Sequence, residues 1–414
     1  MADDKQTPLG ALVTAGAQQT EAERITDTIF MVKDISNAYL VTTPDGDVLV
    51  NTGFMGNGAR NKALFAPQRT GPLRKIIVTQ AHADHFGALP EQLEAGTEVI
   101  VGKGFLETDA YFARLKEFLG RRSGKLWASM TRRDGPPPVP PVVVPDVDVA
   151  DRLRFELGGK QFEVIQVAGG EAQGSVIVWL PQEKTVFTGN LFGPVWRSMP
   201  NLTTTRGDKP RLVPEYLRSV EIVRDLEPEL VVTGHGEPIR GAAQIRADLQ
   251  AMHDAVAYIE AETIKGMNAG ATVYDLMQTI RLPEALKIGE FHGQTKWTVR
   301  AAWDENGNWF KYEDGTTALF GSPRSAVDAD IAELAGGAVN LAARAAAKLG
   351  GGAPLAALHL VDIALNAEPG CAAALTVKRD ACQALLVQGG GQNLSETMWL
   401  RAEIAAAEAA LATV

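Results

Sequence analysis

Apolar runs rich in β-branched and aromatic residues dominate the first half of the chain. Thr28–Val32 and Ala38–Thr43 read as strands, Pro44-Asp45-Gly46-Asp47 as a tight turn, and Asp47–Gly53 as the returning strand. A helix is expected from about Gly58 to Phe65, followed by a strand at Ile76–Val78, a helix opening at Leu89-Pro90 and a buried strand at Val99–Val101. Residues 104–134 carry a helical pattern with several basic side chains. The proline-rich stretch from Asp134 to Pro145 cannot be regular structure and reads as a linker or surface flap. Strands resume at Leu153–Glu156, Phe162–Val167, Val176–Trp179, Thr185–Thr188 and Val231–Thr233. Strands interleaved with helices, first in one half and then in the other, predict an α/β (α+β) protein whose two sheets pack face to face with helices outside, an αββα sandwich.

Beyond about residue 240 strand signals nearly vanish and Ala, Leu and Glu take over. Helices are expected at 241–264, 327–349, 354–367, 371–388 and 394–411, with Gly350-Gly351-Gly352 and Gly389-Gly390-Gly391 at two of the joints. This α-helical C-terminal region holds one helix–turn–helix unit of repeat type, too little for a free solenoid, so it is expected to pack on the strand-rich part or on a second subunit. Residues 1–24 read as a polar, partly helical leader.

Charge changes the picture more than composition does. The net charge of −10 argues against nucleic acid as a partner, while leaving room for a local cationic pocket that takes an anionic small molecule. No apolar stretch reaches the roughly 18–20 residues of a membrane span. No basic segment followed by an apolar run opens the chain, so a cytoplasmic address is expected, or a periplasmic one if a signal has been removed. The two cysteines, Cys371 and Cys382, are expected as buried free thiols.

The chemistry concentrates in Val78-Thr79-Gln80-Ala81-His82-Ala83-Asp84-His85-Phe86-Gly87. The chain has six histidines, and two of them stand here with an aspartate within four residues, directly after an apolar run. Imidazole and carboxylate at a strand end suit a divalent transition metal. Three further strand-end loops present polar residues beside glycine: Glu171 in Gly169-Gly170-Glu171-Ala172, Asn190 in Thr188-Gly189-Asn190-Leu191, and His235 in Gly234-His235-Gly236.

Thr79-x-x-His82-x-Asp84-His85 resembles the metal motif of the metallo-β-lactamase superfamily, with Gln80 where the first histidine of that motif would stand. In chain order the set is similar to the alkylsulfatase branch. Gly170-Glu171-Ala172 resembles its glutamate loop without the threonine. Asn201-Leu202-Thr203-Thr204-Thr205-Arg206-Gly207 fits its downstream segment, and Phe291-His292-Gly293-Gln294-Thr295-Lys296-Trp297 with Trp309-Phe310 looks like its dimerisation region. The resemblance implies a metallo-β-lactamase-like catalytic domain over 25–245, a dimerisation segment over 246–325, a helical domain over 326–414, and a homodimer.

Carried over residue by residue, the resemblance implies one half-site of Gln80, His82 and Glu171, a second of Asp84, His85 and His235, and Asn190 at the bridging place. Gln80 and Asn190 are neutral amides, poor ligands for zinc and unable to offset the repulsion of two cations. One tightly held Zn2+ at Asp84, His85 and His235 is therefore expected, the second position weak or empty. Two histidines and one carboxylate also suit Fe2+. Asp84 and Arg206 are the expected catalytic residues, and Arg206, Thr205 and Tyr39 the expected substrate contacts, although a core position is the plainer reading of Tyr39. His253, His292 and His359 are expected to be structural. The implied activity is metal-dependent hydrolysis of a sulfate or other ester of an apolar alcohol. The alternatives are a non-hydrolytic mononuclear iron enzyme on the same fold, or a catalytically weak binding or scaffold homologue.

Overall fold

The computed structural model describes residues 7–131 and 139–414. Thirteen strands among these residues build two sheets. The first runs in spatial order β1 (Glu23–Arg24), β2 (Ile29–Val32), β3 (Ala38–Thr43), β4 (Gly46–Val50), β5 (Leu73–Ile77), β6 (Glu98–Gly102) and β7 (Val147–Val149). It is antiparallel through β4 and parallel from β4 onward. The second consists of β8 (Arg152–Leu157), β9 (Lys160–Val167), β10 (Ser175–Leu180), β11 (Thr185–Gly189), β12 (Leu230–Thr233) and β13 (Ile239–Arg240), in the order β13-β12-β11-β10-β9-β8. Its one parallel pair is β11 with β12. That pairing needs a crossover, which helix Val213–Asp225 supplies.

Side-chain alternation splits each sheet into two apolar faces. Tyr39, Val41, Val48, Val50, Ile77 and Ile100 point inward and meet Phe162, Val164, Val176, Val178, Phe187 and Val232 of the other sheet. Their neighbours Leu40, Leu49, Ile76, Val99 and Val101 point outward against Phe65, Phe86, Leu89 and Phe105. On the far side Ile165, Ile177, Val186 and Val231 meet Val220, Ile245, Leu249, Met252 and Val256 of helices Val213–Asp225 and Ala242–Asn268. Both faces of both sheets are thus covered, which is why the strands read as near-continuous apolar runs.

The expected αββα sandwich is therefore the observed one. The short edge strands β1, β7 and β13 and helices Val213–Asp225 and Thr295–Gly307 carried too little signal to be expected individually. The Pro8–Thr14 helix gives the leader its helical part, with Leu9 and Val13 buried; residues 1–6 lie outside the described residues. So does the 134–138 part of the proline-rich stretch, while 139–145 forms no regular element. The single helix expected over 327–349 is two, Asp328–Leu334 and Ala338–Gly350. Gly336 and Gly337 separate them at φ 82° and 109°, in the left-handed region that a continuing helix cannot enter.

Contacts divide the chain into two compact units, one formed by Pro8–Arg122 with Met130–Glu305, the other mainly by Asn306–Val414. In the latter, helices Ala338–Gly350, Pro354–Ala367, Ala372–Gln388 and Leu394–Leu411 follow one another. Small buried residues such as Ala342, Ala345, Ala357, Ala364 and Ala374 allow close helix approach. Cys371 and Cys382 are free and buried. No helix among the described residues is long and apolar enough to cross a membrane.

Candidate metal centre

Every candidate ligand sits just past the C-terminal end of a strand, so two rigid sheets aim their loops at one place. β5 leads into Gln80, His82 and the helical turn Ala83–Phe86 that carries Asp84 and His85. β9 leads to Glu171, β11 to Asn190 and β12 to His235. Gly234 lets the last two loops approach: a Cβ there would stand 2.0 Å from Asn190 Oδ1 and 2.9 Å from His85 Cε1. No other residue fits that gap.

Asp84, His85 and His235 converge, with one ligand atom from each lying within 4.8 Å of the others. Asp84 Oδ2 stands 3.6 Å from His85 Nε2 and 3.8 Å from His235 Nε2. The two imidazole planes are at 90°, their centroids 6.1 Å apart. His85 is fully buried, and its Nε2 has no hydrogen-bond partner among the described residues. A buried polar atom without a partner is costly. Two imidazoles and one carboxylate around such an atom fit a divalent cation with room left for water or substrate. Burial pushes the His82, His85 and His235 imidazoles down to about 4, so each is neutral at pH 7, the state a metal ligand needs.

The other implied half-site is built differently. Gln80, expected as a ligand, has its amide occupied: Oε1 accepts from the Asn190 backbone N–H at 2.9 Å, and Nε2 faces His82 Nδ1 at 2.8 Å. It is a tether between two loops. Asn190, expected at the bridge, donates through Nδ2 to Glu171 Oε2 at 3.0 Å, and the same nitrogen lies 3.2 Å from His235 Nε2. Glu171 Oε2 is 3.7 Å from His82 Nδ1, while Oε1 is 2.6 Å from His292 Nε2 and 3.9 Å from Arg211 Nη1. Burial raises the Glu171 carboxyl, but His292, Arg211 and His82 outweigh it and hold the group well below the usual carboxylate range.

His292 is thus no structural bystander. Backbone hydrogen bonds from Met199 N–H to Gly289 O at 2.6 Å and from Gly293 N–H to Met199 O at 2.9 Å pin its loop beside the site. His292 lies in an irregular segment ahead of helix Thr295–Gly307, and no spacing to the other candidate residues marked it. Arg211 and Asp208 were missed as well. Asp208 is buried between Arg206 Nη2 at 3.2 Å and Arg211 Nη2 at 3.3 Å and accepts from Thr204 Oγ1. Burial raises its carboxyl, but the two guanidiniums and His82 bring it below its ordinary value. Arg206 lies close enough to His82 to help keep that imidazole neutral. Thr205 Oγ1 is buried with no hydrogen-bond partner among the described residues.

Tyr39, expected as a substrate contact, belongs to the core. It is buried between the sheets against Phe187, and its Oη donates to Thr233 O at 2.6 Å. The cleft beside Glu171 is lined instead by Tyr111, Phe112, Asp208, Lys209 and Arg211. The Phe112 ring leans on His82 with centroids 5.3 Å apart.

Residues 31–235 match the metallo-beta-lactamase superfamily, and residues 272–402 match the alkyl sulfatase dimerisation region. A linear primary-alkylsulfatase of Pseudomonas sp. is 24% identical over 298 residues, covering 66% of this chain and 56% of that enzyme. An alkyl/aryl-sulfatase of Saccharomyces cerevisiae is 23% identical over 356 residues, covering 78% of this chain and 54% of that protein. The chain therefore spans little more than half the length of these relatives. The solved structure of a stereoselective inverting sec-alkylsulfatase from Pseudomonas sp. shares the fold, with a TM-score of 0.82 at 20% identity over 95% of this chain and 66% of that one.

Proposed function

From the match of residues 31–235 to the metallo-beta-lactamase superfamily and of residues 272–402 to the alkyl sulfatase dimerisation region, we propose that this chain is a metal-dependent hydrolase of sulfate esters, or of related anionic esters, of apolar alcohols. It acts with one tightly bound divalent ion, zinc in the leading reading, and as a homodimer. The observation that carries the reading is the convergence of Asp84, His85 and His235 within 4.8 Å around a buried imidazole nitrogen that has no hydrogen-bond partner among the described residues.

A divalent ion held there would supply Lewis acidity toward a water and toward an ester oxygen. The rest falls to the chain. Asp84 offers one carboxylate oxygen between the two imidazoles and contributes the negative charge of the ligand set. Arg211 is engaged by both Asp208 and Glu171, whereas Arg206 touches Asp208 with one nitrogen and stays 27% exposed, so its guanidinium is the group that can give a charge-assisted hydrogen bond to an anionic headgroup. Thr205 Oγ1, buried and without a hydrogen-bond partner among the described residues, stands next to Arg206 in sequence. Tyr111 and Phe112 give the cleft an apolar wall suited to an alkyl or aryl tail. Glu171 is held by His292, Arg211 and Asn190, so it orients donors at the cleft and leaves the cation to the other three residues.

The two buried thiols fit a reducing compartment, taken here as the cytoplasm. Two imidazoles and one carboxylate also favour a second reading, mononuclear Fe2+ chemistry. Metal analysis of tag-free protein purified without chelator should find about one divalent ion per chain. His85→Ala and His235→Ala should each abolish it together with turnover of a medium-chain alkyl sulfate. Two stoichiometric zinc ions, or metal content unchanged in both variants, would overturn the assignment. Activity restored by anaerobic Fe2+ and not by Zn2+ would select the second reading. Light scattering on the eluted peak tests the dimer.

A further inference from the structure

Two side-chain amides face the Nδ1 atoms of the two motif histidines, and each is locked by its own oxygen. Asn51 stands immediately after β4, 1% exposed. Its Oδ1 accepts from the Thr79 backbone N–H at 2.9 Å and from Thr79 Oγ1 at 3.0 Å. A backbone N–H can only donate, so the amide oxygen must face Thr79 and the NH2 must face away from it. That NH2 lies 3.0 Å from His85 Nδ1. Gln80 repeats the device: its oxygen is fixed by the Asn190 N–H, and its NH2 lies 2.8 Å from His82 Nδ1.

An NH2 group can only donate, so the Nδ1 it faces must carry a lone pair. A neutral imidazole then bears its proton on Nε2. We propose that Asn51 and Gln80 are positioning residues that set the tautomers of His85 and His82, holding both with the proton on Nε2, and that Asn51 thereby weakens the grip of the Asp84–His85–His235 group on its cation. The second clause rests on the metal reading above; the first does not.

Ligation through His85 Nε2 requires the Nε2–H bond to break and its proton to pass to solvent. The ring stays neutral with one proton if Nδ1 takes up another. At Nδ1 that new N–H would meet the NH2 of Asn51, donor against donor. Thr79 Oγ1, at 3.4 Å, is a distant acceptor. Metal-ligating histidines ordinarily give their other N–H to an acceptor, and loss of such a partner typically costs about 10–100-fold in affinity. Asn51 has φ 60°, a left-handed conformation that Asn and Asp both tolerate, so Asn51→Asp keeps the backbone and exchanges the donor for an acceptor.

The test uses the full-length, metal-free protein labelled with 15N-histidine, with His85 assigned by comparison with His85→Gln. Two-bond 15N–1H spectra at neutral pH should place the wild-type His85 proton on Nε2 and the N51D proton on Nδ1. Co2+ titration followed by visible absorption should show N51D binding roughly 10–100-fold more tightly. A wild-type proton on Nδ1 overturns the proposal. So does tighter Co2+ binding by N51D without the tautomer switch, which would be charge alone, or unchanged affinity with it. If the wild type takes up no Co2+ at all, the metal reading fails, while the spectra still decide the tautomer.

Discussion

Glu171 Oε1 and His292 Nε2 lie 2.6 Å apart, joining a loop after β9 to a segment more than a hundred residues downstream. Both side chains are nearly buried, at 10% and 11% exposed, so the pair works in a low dielectric where one partner cannot be removed without cost. His292→Ala should destabilise the protein by about 1–3 kcal/mol, because Glu171 loses its nearest donor and keeps only Asn190 and the more distant Arg211. Metal content should not change, since His292 lies outside the converging ligand group. Thermal unfolding and metal analysis of the same preparation read both quantities. Loss of the metal with stability intact would show that His292 is a ligand.

Acid should unfold the metal-stripped protein in a defined window. His82, His85 and His235 stand at about 4 in the fold against an ordinary 6.5, with burial as the first cause. Between these values the unfolded chain binds more protons than the native one, so stability falls as pH falls. The contribution is fully present above about pH 6.5, lost progressively on acidification, and gone below about pH 4. Each histidine adds a slope of about 1.4 kcal/mol per pH unit across that range. Glu171 is depressed from 4.5, so its contribution is lost at lower pH still. Urea midpoints measured from pH 4 to 7.5 check the slope, and replacing His82 with Gln should make it shallower by one proton. A midpoint independent of pH across this range would exclude buried neutral histidines.

The residues that converge were legible because strand ends and glycine-flanked loops are local signals: Asp84, His85 and His235, with His82 and Glu171 beside them, could each be named as candidates from a few neighbours. What could not be read was which of the remaining polar groups pair with one another. Gln80 looks like a substituted ligand until its oxygen is seen taking the Asn190 N–H. Arg211 and Asp208 carry no motif of their own; their importance comes from burial beside Glu171, a tertiary fact. Tyr39 fails for the opposite reason. Its strand alternates inward and outward, and both directions end in apolar core, so no register of this strand brings the residue to the cleft. The helix breaks followed the same rule: Gly350-Gly351-Gly352 was strong enough to mark a joint, while Gly336-Gly337 within an alanine-rich stretch was read through.

The two arginines on Asp208 should separate binding from stability. The Arg206 side chain is 27% exposed and that of Arg211 only 7%. Arg206→Ala should raise KM for an alkyl sulfate by about 10–100-fold, the worth of one charge-assisted hydrogen bond, with little change in melting temperature. Arg211→Ala leaves Asp208 and Glu171 both short of a buried cation and should cost about 3–5 kcal/mol of stability. Steady-state kinetics and thermal melts on the two variants settle the division. A KM unchanged in Arg206→Ala would remove that residue from the substrate site.

If the proposed single-metal state is due to the neutral amides of Gln80 and Asn190, restoring charge at both should create a second metal position. Two divalent ions about 3.5–4 Å apart repel, and a bridging carboxylate offsets part of that repulsion. Neither substitution should suffice alone. Asn190→Asp sets a second carboxylate where an amide now donates to Glu171 at 3.0 Å, so without a cation it should destabilise the fold. Gln80→His supplies an imidazole but gives up the oxygen that takes the Asn190 N–H. In the double variant Gln80→His/Asn190→Asp, a zinc ion between the new histidine, His82 and Glu171 would offset both costs. Zinc content after dialysis should rise from about one to about two per chain, and the melting temperature should become far more sensitive to chelator than that of wild type. If the double variant stays at one ion, the two amides are not what keeps the second position empty, and the hold of His292 and Arg211 on Glu171 becomes the cause to test next.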